Sequence, residues 1–155
     1  MKLTEVFKKE RELKGISIAD AARSLNISEE AYQQLEDGHS AVEKWANVLT
    51  KAALILKTPA ARLVSANGSA VGITRANCGK LIKHYREQRQ LSLEEMAAAV
   101  GLSVAEYQNV ERGQSELETF GPVLLCFAEL IEQPVYNLLF PSGVPIEKLE
   151  EYPEP

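Results

Sequence analysis

The sequence contains two cysteines, one tryptophan and no long apolar run. Cys78 and Cys126 stand 48 positions apart and form no CxxC pair, which excludes a disulfide-rich scaffold and a zinc site of the usual ligand spacing. The longest apolar stretches, at 123–131 and 52–56, are much shorter than the roughly 20 residues that a transmembrane helix needs. We therefore expect no membrane association and no metal, and we expect both cysteines to be small buried hydrophobic residues.

A secretory signal and the usual catalytic constellations are also missing. Residues 1–15 are densely charged and have no apolar segment of the signal-peptide type, which predicts a cytoplasmic protein. His39 falls in a predicted loop and His84 on a charged helix face, and neither belongs to a Ser-His-Asp arrangement. The sequence has no Gly-rich phosphate-binding loop either. We expect neither enzyme activity nor a cofactor.

The chain contains one sequence pattern twice. Shifting the sequence against itself by 75 positions aligns residues 11–40 with residues 86–115 without a gap, and ten of these thirty positions are identical. The register continues beyond this segment, where it pairs Pro59 with Pro134. A period of this length exceeds that of solenoid repeats, so we predict two copies of a small domain.

Helical periodicity and capping residues recur in both copies. Apolar residues at i, i+3, i+4 and i+7 predict a short amphipathic helix that starts after Ser17 or Ser92. A second short helix, capped by Ser28 or Ser103, follows about three residues later, which makes a helix-turn-helix. A longer helix precedes this pair, a long helix follows it, and a last short helix begins near the proline that both copies share. We predict an all-α fold of two tandem five-helix domains.

This interpretation divides the chain into two domains, a linker and a tail. The copies occupy residues 1–64 and 75–140, and the uncharged segment 65–74, which contains two glycines, is a linker. Residues 141–155 contain four prolines and four glutamates, which is typical of a disordered acidic tail. A domain of about 65 residues has a marginal core. We therefore expect two compact bodies that pack on each other, or a chain that forms a homodimer.

Both copies resemble the lambda-repressor-like, or XRE-type, helix-turn-helix family. The second copy is closer, through REQRQLSLEEMAAAVGLSVAEYQNVERG followed by LETF, and the first matches through RELKGISIADAARSLNISEEAYQQLEDG. The resemblance implies DNA binding by the third helix of a copy, which lies in the major groove. It also implies a structural ion pair between the first and third helices, Arg11 with Glu36 and Arg86 with Glu111.

The residues expected to face outward on the third helices are candidates for DNA contacts. Gln and Asn can form bidentate contacts to adenine, and small apolar groups can meet a thymine methyl. Arg112 and a minority of the basic residues on the first helices are candidates for phosphate contacts. The candidate DNA-binding residues are Ser28, Gln33 and Gln34 in the first copy and Ser103, Val104, Ala105, Gln108, Asn109 and Arg112 in the second.

Net charge argues against simple DNA binding. Residues 1–64 carry ten basic and nine acidic side chains, residues 75–140 carry six and nine, and the tail carries one and four. The second copy, whose third helix carries the side chains better suited to base contacts, is thus the more acidic one. Affinity for DNA, however, comes chiefly from Lys and Arg. The glutamine that is common at the start of the family's second helix is also replaced, by Ile18 and Leu93.

Two functions are compatible with these patterns. The first is a transcriptional regulator that binds duplex DNA sequence-specifically through two helix-turn-helix units. The second is a protein-interaction module, such as an adaptor or an antitoxin-like partner, that keeps the fold with weak or no DNA binding. The serine caps and the Gln-Asn face favour the regulator, whereas Glu29, Glu30 and the acidic balance favour the interaction module.

Overall fold

The regular secondary structure of the described residues is entirely helical. The computed structural model describes residues 3–69 and 77–131, in which helices account for 72% of the residues and no strand occurs. The predicted all-α class is therefore confirmed for these residues. Within the same ranges, no helix is both long enough and apolar enough to cross a lipid bilayer.

Nine helices lie in the described residues, and eight of them form matched pairs. The first half, residues 3–69, contains α1 (Leu3–Leu13), α2 (Ile18–Ser24), α3 (Glu29–Asp37), α4 (Val42–Leu56) and α5 (Ala60–Val64). The second half, residues 77–131, contains α6 (Cys78–Gln88), α7 (Leu93–Val100), α8 (Val104–Glu111) and α9 (Leu117–Leu130). Each helix from α6 to α9 begins 75 positions after its counterpart from α1 to α4, which is the shift that aligns the sequence with itself.

Side-chain caps fix the starts of the helices in both helix-turn-helix units. In the second half, the Glu106 N–H donates to the Ser103 hydroxyl and the Ser103 N–H donates to the Glu106 carboxylate, each at 3.1 Å. Ser92 and Glu95 form the same reciprocal pair at the start of α7. Ser caps occur at all four predicted positions, namely Ser17, Ser28, Ser92 and Ser103. The local sequence therefore determines where these helices begin.

The buried side chains of the two halves form one hydrophobic core. The ring of Phe7 on α1 meets the ring of Phe127 on α9 edge-on, with centroids 4.6 Å apart. Helix α4 packs against α7 and α9, and α5 packs against α6 and α9. The halves thus pack on each other as expected, but they do not form two separate compact bodies. The reason is that α4 and α9 bury most of their apolar residues against the other half.

The contacts between the halves resemble those of a two-fold symmetric dimer. Helix α9 is the counterpart of α4, and α7 is the counterpart of α2. Helix α4 packs against α7, α9 packs against α2, and α4 and α9 pack against each other. The indole Nε1 of Trp45 on α4 donates to Glu116 Oε1 at the start of α9, at 3.4 Å. One chain thus contains the kind of reciprocal interface that isologous dimers form between subunits.

Two glycines allow helices to approach closely. Gly79 on α6 lies against the carbonyl oxygen of Val110 on α8, where any Cβ would overlap the backbone. At Gly121 on α9, a Cβ would lie 2.7 Å from the Sγ of Cys78 and 3.4 Å from Cγ2 of Val64. Gly79 therefore sets the distance between α6 and α8, and Gly121 sets the packing of α9 on α5 and α6.

Several predicted features lie partly or wholly outside the described residues. Of the predicted linker, residues 65–69 form a turn in which Asn67 Oδ1 accepts hydrogen bonds from the Ser65 hydroxyl at 2.7 Å and the Ser69 N–H at 3.0 Å. Residues 70–74 of the linker lie outside the described residues. The helix predicted near Pro134 and the acidic tail predicted at 141–155 also lie outside them.

Candidate nucleic-acid interface

A bidentate ion pair attaches α8 to α6. The Nε and Nη2 atoms of Arg86 donate to the Glu111 carboxylate oxygens at 2.6 and 3.2 Å, and Nη1 donates to the Leu91 carbonyl at 2.9 Å. Only 13% of the Arg86 side chain and 8% of the Glu111 side chain are exposed. The hydrogen bond to Glu111 raises the pKa of the Arg86 guanidinium above its usual value, so this group stays charged.

The same arrangement attaches α3 to α1 in the first half. The Nε and Nη2 atoms of Arg11 donate to the Glu36 carboxylate at 2.7 and 3.2 Å, and Nη1 donates to the Ile16 carbonyl at 2.9 Å. Both ion pairs that the family resemblance implies are thus present, and both are turned into the protein. They hold the third helix of each half in place.

A buried tyrosine anchors the inner face of each third helix. Tyr107 on α8 and Tyr32 on α3 are 1% and 0% exposed. Burial raises the pKa of each phenol above its ordinary value, and the neighbouring Glu111 or Glu36 raises it further. Both tyrosines are therefore neutral, and they direct the opposite face of their helix towards solvent.

The inner face of α8 determines which residues point away from the protein. Tyr107 and Val110 are buried, and successive residues of an α-helix are turned by about 100°. Ala105, Asn109 and Arg112 follow the i, i+4, i+7 spacing opposite this buried face, and all three are exposed. We call these three residues the reading stripe.

The other candidate residues of the second half border the reading stripe. Ser103 is exposed, but its hydroxyl and N–H are both engaged in the helix cap. Val104 is 36% exposed and Gln108 is half-buried. The expectation that Gln108 points fully outward is wrong, because its side chain is half-buried whereas that of Asn109 is exposed.

A cleft of about 640 Å³ adjoins the reading stripe at Arg112. Two carboxylates at this cleft are already engaged, because Glu111 pairs with Arg86 and Glu118 accepts a 2.8 Å hydrogen bond from the Gly79 N–H. Its three cations form no ion pair within the part of the chain that the structure describes. We call it the basic cleft, and its lining residues are Asn77, Lys80, Lys83, Glu111, Arg112, Gly113 and Glu118.

The matching positions of the first half have the opposite electrostatic character. The residues 75 positions before the reading stripe are Glu30, Gln34 and Asp37. Those 75 positions before the three cleft cations are Glu5, Lys8 and Asp37. The predicted contact residues of this half are all exposed, but they lie on an acidic helix: Ser28, Gln33 and Gln34. The cluster of three cations thus adjoins α8 and has no equivalent beside α3.

The sequence did not single out two of the three cleft cations. Lys80 and Lys83 are two of several basic residues on the predicted first helices, whereas Arg112 is an individual candidate. Their i, i+3 spacing, which places them on one side of α6, was a usable signal. Their closeness to Arg112 depends on how α6 crosses α8, and only the fold shows it.

The remaining reactive side chains form no second site in the described residues. No group of three or more His, Cys, Asp or Glu side chains there could hold a metal ion. Cys78 is buried and Cys126 is half-buried, and burial raises the pKa of both free thiols. His39 is exposed after α3, and His84 is exposed on α6.

Comparison with known protein families points to the same part of the chain. Neither the curated proteins nor the solved structures contain a match. A family model described as "Helix-turn-helix" matches residues 82–119, from within α6 to the start of α9. The matched segment includes α7, α8 and the whole reading stripe. The second half therefore contains a helix-turn-helix similar to that family.

Proposed function

We propose that the protein is a transcriptional regulator that binds duplex DNA sequence-specifically through its second half. In this proposal α8 enters the major groove and presents the reading stripe to base edges, in the docking geometry of helix-turn-helix proteins. The cations of the basic cleft contact backbone phosphates beside that groove. The family match at 82–119 supports this assignment.

The observation that carries the proposal is the continuity of the reading stripe with the basic cleft. Arg112 belongs to both. Contacts to bases supply specificity, whereas contacts to phosphates supply position and much of the affinity. The amide of Asn109 can bond adenine, and the methyl group of Ala105 can meet a thymine methyl. The surface of α8 thus carries groups for both tasks.

The first half has a structural role in this proposal. At the positions that match Ala105 and Arg112 it carries Glu30 and Asp37, which repel phosphates. Although the two halves have related helix-turn-helix units, only one of them reads DNA. We therefore expect the chain to recognise a single short site and not a palindrome.

Salt-dependent binding to a labelled mixed-sequence duplex tests the proposal. At ~50 mM salt, where contacts to phosphate are strong, we expect binding that weakens as salt rises. The slope of log K against log salt is negative. The double variant Lys83→Gln/Arg112→Gln should reduce its magnitude by about 2, because each phosphate contact contributes about 1. Fluorescence anisotropy measures both quantities.

The matched control removes two charges elsewhere. Lys8 and Lys9 are exposed on α1 of the first half, away from the basic cleft. The double variant Lys8→Gln/Lys9→Gln should keep the slope of the unsubstituted chain. The proposal is contradicted by a lack of binding at ~50 mM salt, or by equal changes of slope in the two double variants.

One observation favours a second function, the protein-interaction module. Helix α3 exposes Glu29 and Glu30 in its first turn, beside an outward face that also carries Asp37. Such a face suits a basic protein partner better than a phosphate backbone. A chain that is fully helical by circular dichroism but shows no affinity for DNA at ~50 mM salt would support this function.

A further inference from the structure

We infer that the first half supplies two phosphate-contacting lysines, Lys44 and Lys51, to the helix-turn-helix of the second half. Both lysines stand on α4, in the other half of the chain from the reading stripe. They also lie outside the segment that the family model matches. The inference rests on the proposed DNA binding and makes the binding surface a composite of both halves.

Lys51 lies beside the turn between α7 and α8. Helix α4 packs against α7, which brings α4 alongside this turn. The turn passes through Gly101, which has a left-handed backbone with φ of 76°. A Cβ built on Gly101 would lie 3.9 Å from the Nζ atom of Lys51. The Lys51 stem is half-buried, so its ammonium group is held where the chain enters α8.

Lys44 lies further along the same face of α4, towards the start of α8. It stands seven residues before Lys51, which is about two helical turns or 10 Å. Hydrogen bonds at Ser103 lower the pKa of the Glu106 carboxyl, and the charge of Lys44 lowers it further. The exposed Lys44 ammonium also lies 5.0 Å from the ring centroid of Trp45, which is itself held by Glu116.

The reciprocal contact in the first half contains no such cations. Helix α9 packs against α2 as α4 packs against α7, and the counterparts of Lys44 and Lys51 on α9 are Thr119 and Cys126. The lysines therefore have no equivalents 75 positions later along the chain. Like the basic cleft, they adjoin only α8.

Positive charge consequently lies near both ends of α8. Lys51 adjoins the turn at its N-terminal end, Lys44 lies two turns along the same face of α4, and the basic cleft adjoins its C-terminal end at Arg112. The eight residues of α8 span about 12 Å, which is close to the width of the major groove. Because a duplex has a phosphate backbone on each side of that groove, cations at both ends of α8 match both backbones.

Removing the two charges while keeping the side-chain stems tests the inference. The double variant Lys44→Gln/Lys51→Gln should reduce the magnitude of the slope of log K against log salt by about 2 on the mixed-sequence duplex. The loss of affinity should be equal for all sequences, because phosphates carry no sequence information. The Lys8→Gln/Lys9→Gln variant should keep the slope of the unsubstituted chain. A purely structural role for the two lysines would alter thermal unfolding but not the slope.

The outcomes separate this inference from the proposed function. An unchanged slope in a chain that binds DNA overturns the inference and leaves the proposed function in place. A chain with no affinity for DNA overturns both. If the double variant unfolds, the single variant Lys44→Gln at an exposed position replaces it. The magnitude of its salt slope should then be reduced by about 1. An unchanged slope there likewise overturns the inference.

Discussion

The Arg86–Glu111 pair shows how two side chains orient the proposed reading helix. Buried ion pairs add little net stability compared with apolar residues of similar volume, but a single buried charge without its partner is costly. The pair therefore acts mainly by position, since it holds α8 against α6, on which Lys80 and Lys83 stand. The corresponding Arg11–Glu36 pair holds α3, whose first turn is acidic, in the same way in the first half.

Glu111→Ala should lower the free energy of unfolding by about 3–5 kcal/mol, because Arg86 would remain charged and nearly buried without a partner. Urea denaturation measures this loss. The control is Arg23→Ala, which removes an ion pair to Asp20 whose side chains are 77% and 59% exposed, and which should cost less than about 1 kcal/mol. Equal losses in the two variants would contradict the structural role of the Arg86–Glu111 pair.

Single residues were predictable from sequence where their role is local or where the family resemblance specifies it. The serine caps follow from their place before an apolar repeat, and both ion pairs follow from the resemblance. Lys44 and Lys51 could not be identified in this way. They lie fifty or more positions before the turn at Gly101, and nothing in their neighbourhood in the sequence marks them.

At the scale of helices, the order and starts of the elements were predictable, but their rotation was not. Serine caps and apolar spacing correctly predict where α2, α3, α7 and α8 begin. The half-buried state of the Gln108 side chain, in contrast, does not follow from the helical spacing. The distance between α8 and α6 depends on Gly79, which lets the backbone of α8 approach α6 directly.

Gly79→Ala should lower the free energy of unfolding by about 1–3 kcal/mol, because the new methyl group would overlap the Val110 carbonyl and push α8 away from α6. Thermal unfolding followed by circular dichroism measures the effect. The matched control is Thr4→Ala, at the equivalent position of α1, which already carries a Cβ. A Gly79→Ala chain as stable as the control would show that α6 and α8 are not in close contact.

At the scale of the whole molecule, the repeat predicted the helices of each half but not their shared core. The Phe7–Phe127 contact joins residues whose own counterparts are Ile82 and Ala52, so the repeat gives no sign of it. Net charge does not describe how the cations are arranged, because it counts side chains without their positions. The more acidic copy collects cations near α8 from α6, from the loop after α8 and from α4 of the other half.

Phe127→Ala should destabilise both halves together by about 3–5 kcal/mol, because its ring lies in the shared core. The only tryptophan, Trp45, is in the first half, so its fluorescence reports on that half while circular dichroism reports on the whole chain. We expect one coincident transition, shifted equally by both probes. A first half that unfolds unchanged while the second is destabilised would contradict the shared core.

The most direct test of the central claim is the selection of bound sequences from random duplexes. We expect one short, unrepeated motif, which is lost in Gln108→Ala/Asn109→Ala and kept in Gln33→Ala/Gln34→Ala, the equivalent change on α3. A motif that survives the substitutions on α8, or that disappears with those on α3, would contradict reading by the second half.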